Sequence, residues 1–173
     1  MLAPSSPRKF KLFAFLAGSM LIALAVLFYL SLSAPQVAPN VTYLNLKGEK
    51  ITAQTLRGKV VIVNFWATSC SICVAEMPEM VATYNKYHEQ GLEFIAVAMN
   101  YDPPNLVLNY AETRQLPFHV ALDLQGKLAQ AFGDVKGTPT TFVIDKQGRI
   151  LQRYVGKPSF DDLHKLLEKG LAT

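Results

Sequence analysis

The chain has two cysteines, and they stand three apart as Cys70-Ser71-Ile72-Cys73. Ahead of them runs an apolar, β-branched-rich segment, Val60 to Phe65. Behind them Cys73, Met77, Met80, Tyr84 and Tyr87 recur at helical spacing. A pair set between a buried strand and the first turn of a helix meets unpaired backbone N–H groups and the positive end of the helix dipole, both of which favour a thiolate. Cys70 is therefore expected to ionise below the ordinary thiol value of about 8.5. Cys73, one turn deeper, is placed to attack a mixed disulfide formed by Cys70, which is the dithiol exchange cycle. A purely structural disulfide is the weaker reading, because so short a ring constrains the unfolded chain little. Structural zinc is disfavoured, since it usually takes four protein ligands and only His88, His119 and His164 accompany the pair. A copper carrier using Cys70 and Cys73 with Met77 or Met80 stays open, although the methionines suit an apolar helical stripe better. No metal or separate cofactor is called for: the redox group is the cysteine pair itself.

The elements that must position this pair can be read around it. Phe94 to Met99 is a second unbroken apolar run, and such runs suit strands covered on both faces. Pro78 falls inside the cysteine-bearing helix and is expected to kink it. Residues 105–115 and 126–132 read as helices, 118–122 as a short strand, and Gly133 as a helix stop. Residues 140–145 and 149–155 read as strands around Lys146-Gln147-Gly148. Leu163, Leu166, Leu167 and Leu171 share one face of a closing helix. Val41 to Lys50 suggests an N-terminal hairpin. The expected architecture is an α/β domain over 41–173, a mixed sheet sandwiched by helices.

The N-terminal third reads differently. Arg8, Lys9 and Lys11 are followed by no charged residue until Lys47. Without those three, 14 basic residues face 13 acidic ones, so the net charge of +4 belongs to the N-terminus. A nucleic-acid binder would need a basic patch that the domain lacks. Residues 12–32 are long enough, at about 1.5 Å per residue, to cross a hydrocarbon core of about 30 Å. A cleaved signal peptide usually has an apolar stretch of only about 7–15 residues, so an uncleaved anchor is the expectation. Residues 1–11 are then cytoplasmic and 33–40 a Pro-containing tether. The positive-inside rule sets the domain on the outer face of the cytoplasmic membrane, towards periplasm or exterior.

Asn64-Phe65-Trp66-Ala67-Thr68-Ser69-Cys70-Ser71-Ile72-Cys73, with Glu76-Met77-Pro78 after it and Gly137-Thr138-Pro139-Thr140-Thr141-Phe142 later, resembles the TlpA/ResA/CcmG group of thioredoxin-like proteins. The likeness covers about residues 41–170. It implies a thioredoxin-like fold with an extra helix and strand, which 105–122 would supply. It also implies a cis Pro139 beside the cysteines, with Thr138 contacting substrate, and a proton-transfer role for Glu76. Classical thioredoxins carry an aspartate where this chain has Asn64, and an amide takes no proton at neutral pH, which leaves Glu76 as the base candidate. Its plain alternative is an acid favoured by the dipole of an early helical turn.

The chain departs from the group at the rim. Ser69 stands where tryptophan is usual, and Ile72 where proline or a similar residue is usual; Ser69 is the expected helix N-cap. Ser69, Ser71 and Ile72 are thus the candidate rim contacts, and substrate preference follows from them rather than from the exchange chemistry. The leading expectation is a membrane-anchored reductase of disulfides in exported proteins, recharged by a membrane electron donor of thiol-reducing type. Apocytochrome c and copper-site proteins are the candidate substrates. An oxidase or isomerase would share the motif. A peroxiredoxin-type peroxidase is disfavoured because Ala67 occupies its usual threonine or serine position.

Overall fold

The computed structural model describes residues 36–172 together with 16, 18, 20–27 and 29. The chain divides into two units, residues 1–35 and 36–173. The expected span at 12–32 lies largely outside the described residues. Those of it that are described are helical, and among the described residues no helix is long and apolar enough to cross a membrane.

The second unit is built on two consecutive apolar runs that form its central strands. β3 (Val60–Trp66) and β4 (Leu92–Ala98) pair in parallel, and α1 (Ser71–Tyr87) connects them with a one-turn 3₁₀ segment, His88–Gln90. Parallel neighbours need such a crossover, and its helix covers one sheet face. The chain continues through α2 (Pro104–Thr113), β5 (His119–Leu122), α3 (Lys127–Ala131), β6 (Thr140–Ile144), β7 (Ile150–Val155) and α4 (Phe160–Ala172). Strand order is β5-β4-β3-β6-β7, with β6 antiparallel to β3 and β7 antiparallel to β6. The expected mixed sheet with flanking helices is therefore present. α1 also continues through Pro78 as one element.

Strand periodicity divides the core. Val60, Ile62 and Trp66 face α1 and α4, meeting Cys73, Met77, Met80, Leu163 and Leu167. Val61, Val63 and Phe65 face the opposite way, against Leu128, Phe132 and the N-terminal hairpin residues Tyr43 and Ile51. That hairpin joins β1 (Thr42–Leu44) to β2 (Lys50–Thr52), and its end reaches β5 through the Leu46 N–H to Val120 carbonyl bond. Residues 36–38, within the expected extended tether, lie along the β6–β7 turn. The Ala38 N–H donates to the Gly148 carbonyl at 2.9 Å and the Ile150 N–H to the Gln36 carbonyl at 2.7 Å.

Candidate active site

Cys70 and Cys73 are joined in a disulfide with Cα atoms 5.3 Å apart. Cys70 is the N-cap of α1: its backbone is extended (φ −89°, ψ 104°) and its sulfur accepts the Cys73 N–H at 3.2 Å. The expected cap, Ser69, is one residue too early and lies exposed in the preceding turn. The cap group is thus the reactive sulfur itself. Cys70 is half-buried, whereas Cys73 is wholly buried among core residues one turn on. Ser71 and Ile72 are exposed between them.

Glu76 follows Cys73 by three residues, which places both on one helical face, and that face is the buried one. Glu76 is 1 % exposed. Its Oε1 accepts the Asn64 Nδ2–H at 3.3 Å, and its Oε2 has no hydrogen-bond partner. Burial pushes the carboxyl up to about 7, opposed by the Asn64 hydrogen bond and by Lys157, and reinforced by Glu79. Lys157 and Glu79 form an ion pair at 2.6 Å. The Asn64 amide also donates to Thr141 Oγ1 at 2.9 Å, joining β3 to β6 at the pair the strand register sets opposite one another.

Pro139 is buried and the Thr138–Pro139 bond is cis. Its loop runs into Thr140, which pairs with Phe65 near the end of β3, so the Pro139 loop and the cysteine loop leave the same end of the sheet. The Pro139 carbonyl accepts the Gly156 N–H at 2.8 Å, and Thr140 Oγ1 donates to the Gly137 carbonyl at 2.7 Å. Thr138 is half-buried.

Sequence reasoning missed the loop after β4. Asp102 is 4 % exposed, and its carboxylate accepts both the Thr68 N–H, at 2.6 Å, and the Thr68 hydroxyl, at 2.5 Å. The Met99 N–H donates to the Trp66 carbonyl at 3.0 Å. Together these bonds fix the turn that leads into Cys70. Tyr101, from the same loop, places its hydroxyl 3.2 Å from Thr138 Oγ1. Local sequence offers no sign of bonds between residues more than thirty positions apart; the one hint is an acid in the loop just past a buried strand, four residues after its last residue, Ala98. Met77 and Met80 are buried in the core rather than turned to a ligand site. Among the described residues no cluster of three His, Cys, Asp or Glu side chains could hold a metal.

The sequence matches the Redoxin family over residues 33–167. It is 38 % identical over 133 residues to the thiol-disulfide oxidoreductase ResA of Bacillus thuringiensis subsp. konkukian (strain 97-27), covering 76 % of this chain and 75 % of that one. It is 37 % identical over 131 residues to ResA of Geobacillus kaustophilus (strain HTA426), covering 76 % and 74 %. The crystal structure of a thioredoxin-family thiol:disulfide interchange protein from Chlorobium tepidum TLS superposes with a TM-score of 0.73 at 31 % identity, covering 80 % of this chain and 97 % of that one. The fold is thioredoxin-like.

Proposed function

The chain belongs to the redoxin family and is a thiol-disulfide oxidoreductase whose redox group is the Cys70–Cys73 pair, and we propose that it is a membrane-anchored, extracytoplasmic reductase of disulfides in exported proteins. The observation that carries the exchange roles is the inequality of the two sulfurs. Cys70 caps the helix at the surface, and Cys73 is enclosed.

In the reductive direction the Cys70 thiolate, held by the Cys73 N–H and the helix terminus, attacks one sulfur of a substrate disulfide. A Cys70–substrate disulfide forms and the other substrate sulfur leaves as a thiolate. Cys73 then loses its proton, with Glu76 as the acceptor, and attacks the Cys70 sulfur. The internal disulfide forms and the second substrate thiol is released. Two electrons pass to the substrate, two protons complete its thiols, and a membrane dithiol donor must reduce the pair again. Apocytochrome c and copper-site proteins are substrates that fit an enzyme working outside the cytoplasm. The uncharged 12–32 stretch behind Arg8, Lys9 and Lys11 supports the anchor and its orientation.

The test is covalent trapping in intact cells. Cys73→Ser is expected to accumulate mixed disulfides on Cys70, and Cys70→Ser few or none. Trapped proteins with cysteine pairs ahead of haem sites would indicate cytochrome maturation, and copper-site proteins oxidase assembly. Equal trapping by the two variants would overturn the assigned roles, and a measured potential near the oxidising end of the family range, about −120 mV, would overturn the direction.

A further inference from the structure

Three loops meet at the sheet end that carries the cysteines, and the dipeptide Tyr101-Asp102 ties one of them to the other two. Asp102 is anchored through both Thr68 bonds, which fixes the backbone that presents Tyr101. Tyr101 is 55 % exposed, yet its hydroxyl is committed to Thr138 Oγ1. On the far side of that loop Pro139 is held to the end of β7 by Gly156. Thr138 sits between these two restraints, and its own N–H and carbonyl make no backbone hydrogen bond to another described residue. A fixed, unpaired main-chain edge is what an extended peptide needs in order to add as a strand. The residue ahead of Cys70 is the small Ser69, so that side of the rim offers no large ring. Large exposed apolar side chains come instead from Ile72, Tyr101 and, at the end of β7, Val155.

We propose that Tyr101 determines specificity for extended polypeptide disulfides: its ring is the wall against which the substrate segment lies, and its hydroxyl holds Thr138 so that the Thr138 main chain pairs with that segment. Tyrosine suits the task because it offers a large, amphipathic contact with few torsions to freeze. The proposal rests on the exchange roles assigned to Cys70 and Cys73 above.

The experiment compares two oxidised substrates of the reduced full-length chain in detergent: an unstructured disulfide-bridged peptide and hydroxyethyl disulfide, which has no main chain to bind. The ratio of the peptide rate constant to the hydroxyethyl disulfide rate constant is expected to fall about tenfold in Tyr101→Ala, mainly through KM for the peptide, at an unchanged reduction potential. Tyr101→Phe keeps the ring and is expected to lower the ratio about threefold; it carries the test by itself if the alanine variant fails to fold. An unchanged ratio in the phenylalanine variant, or equal losses on both substrates, would overturn the role of Tyr101 and leave the exchange reading standing. Failure of the wild type to reduce hydroxyethyl disulfide would overturn that reading and this proposal with it.

Discussion

Asn64 and Glu76 share one hydrogen bond, Nδ2 to Oε1 at 3.3 Å, on the buried face of α1 one turn beyond Cys73. The amide cannot titrate, so the proton balance of this interior falls on the carboxyl. The carboxyl is left with one oxygen unpartnered and is pushed up to about 7. A group poised near the working pH can both take and return a proton, which is what alternating thiol and thiolate at Cys73 requires.

Glu76→Gln should therefore have two consequences. The raised carboxyl value means that the contribution of Glu76 to native stability is fully present below pH 4.5 and is lost as pH rises to about 7, a fall of roughly 3 kcal/mol. The glutamine variant, able to keep the Asn64 bond without a charge, should lose this fall, as read from urea unfolding of the oxidised protein at pH 5 and pH 8. Its resolving step should also slow across pH 6–9 in stopped-flow reduction. An unaltered rate profile would leave Glu76 a dipole-favoured acid and nothing more.

Asp102→Ala strips Thr68 of both its partners in a buried setting. Hydrogen bonds to charged groups contribute about 1.5–3 kcal/mol each, so a loss of about 3–6 kcal/mol is expected for the two. Thr68→Val removes only the hydroxyl bond and should cost about half as much. Because the two residues share these bonds, the double variant should lose clearly less than the sum of the single losses in urea unfolding. Simple additivity would mean the contacts are energetically idle.

At the β6–β7 turn, burial tends to raise the Asp145 carboxyl. The Arg149 N–H, the Arg149 guanidinium and then the Gln147 N–H outweigh it and hold the group below the ordinary aspartate value. A lowered value gives stability that is present above pH 3.8 and lost as pH falls through the folded-state value. Asp145→Asn should cost about 1–2 kcal/mol at pH 7, with the gap to wild type narrowing below pH 3.8 in acid-titrated thermal unfolding. A gap constant with pH would show that shape, not charge, matters at this turn.

For the N-terminal segment, the anchor reading expects the full-length chain to stay with the membrane pellet after alkaline carbonate washing and to keep its initiating Met. Recovery of a soluble form beginning near Ala34 or Pro35 would identify residues before it as a cleaved signal.

Local pattern by itself determined the order of elements, the burial of β3 and β4 and the placement of Cys70-Ser71-Ile72-Cys73 at a helix start. Each of these is written within a window of a few residues as a 2.0 or 3.6 period or a turn signal. Family resemblance added the cis Pro139 and the attention to Glu76. What only the tertiary structure decided was which residue caps the helix, since the turn into α1 places the sulfur of Cys70, rather than the hydroxyl of Ser69, against the Cys73 N–H. It likewise decided that residues 36–38 lie along the turn at Gly148, that Asn64 reaches both Glu76 and Thr141, and that Asp102 and Tyr101 brace Thr68 and Thr138. Those contacts join positions up to about a hundred residues apart. Sheet order and loop convergence create them, and no spacing along the chain records which loops will leave the same end of a sheet.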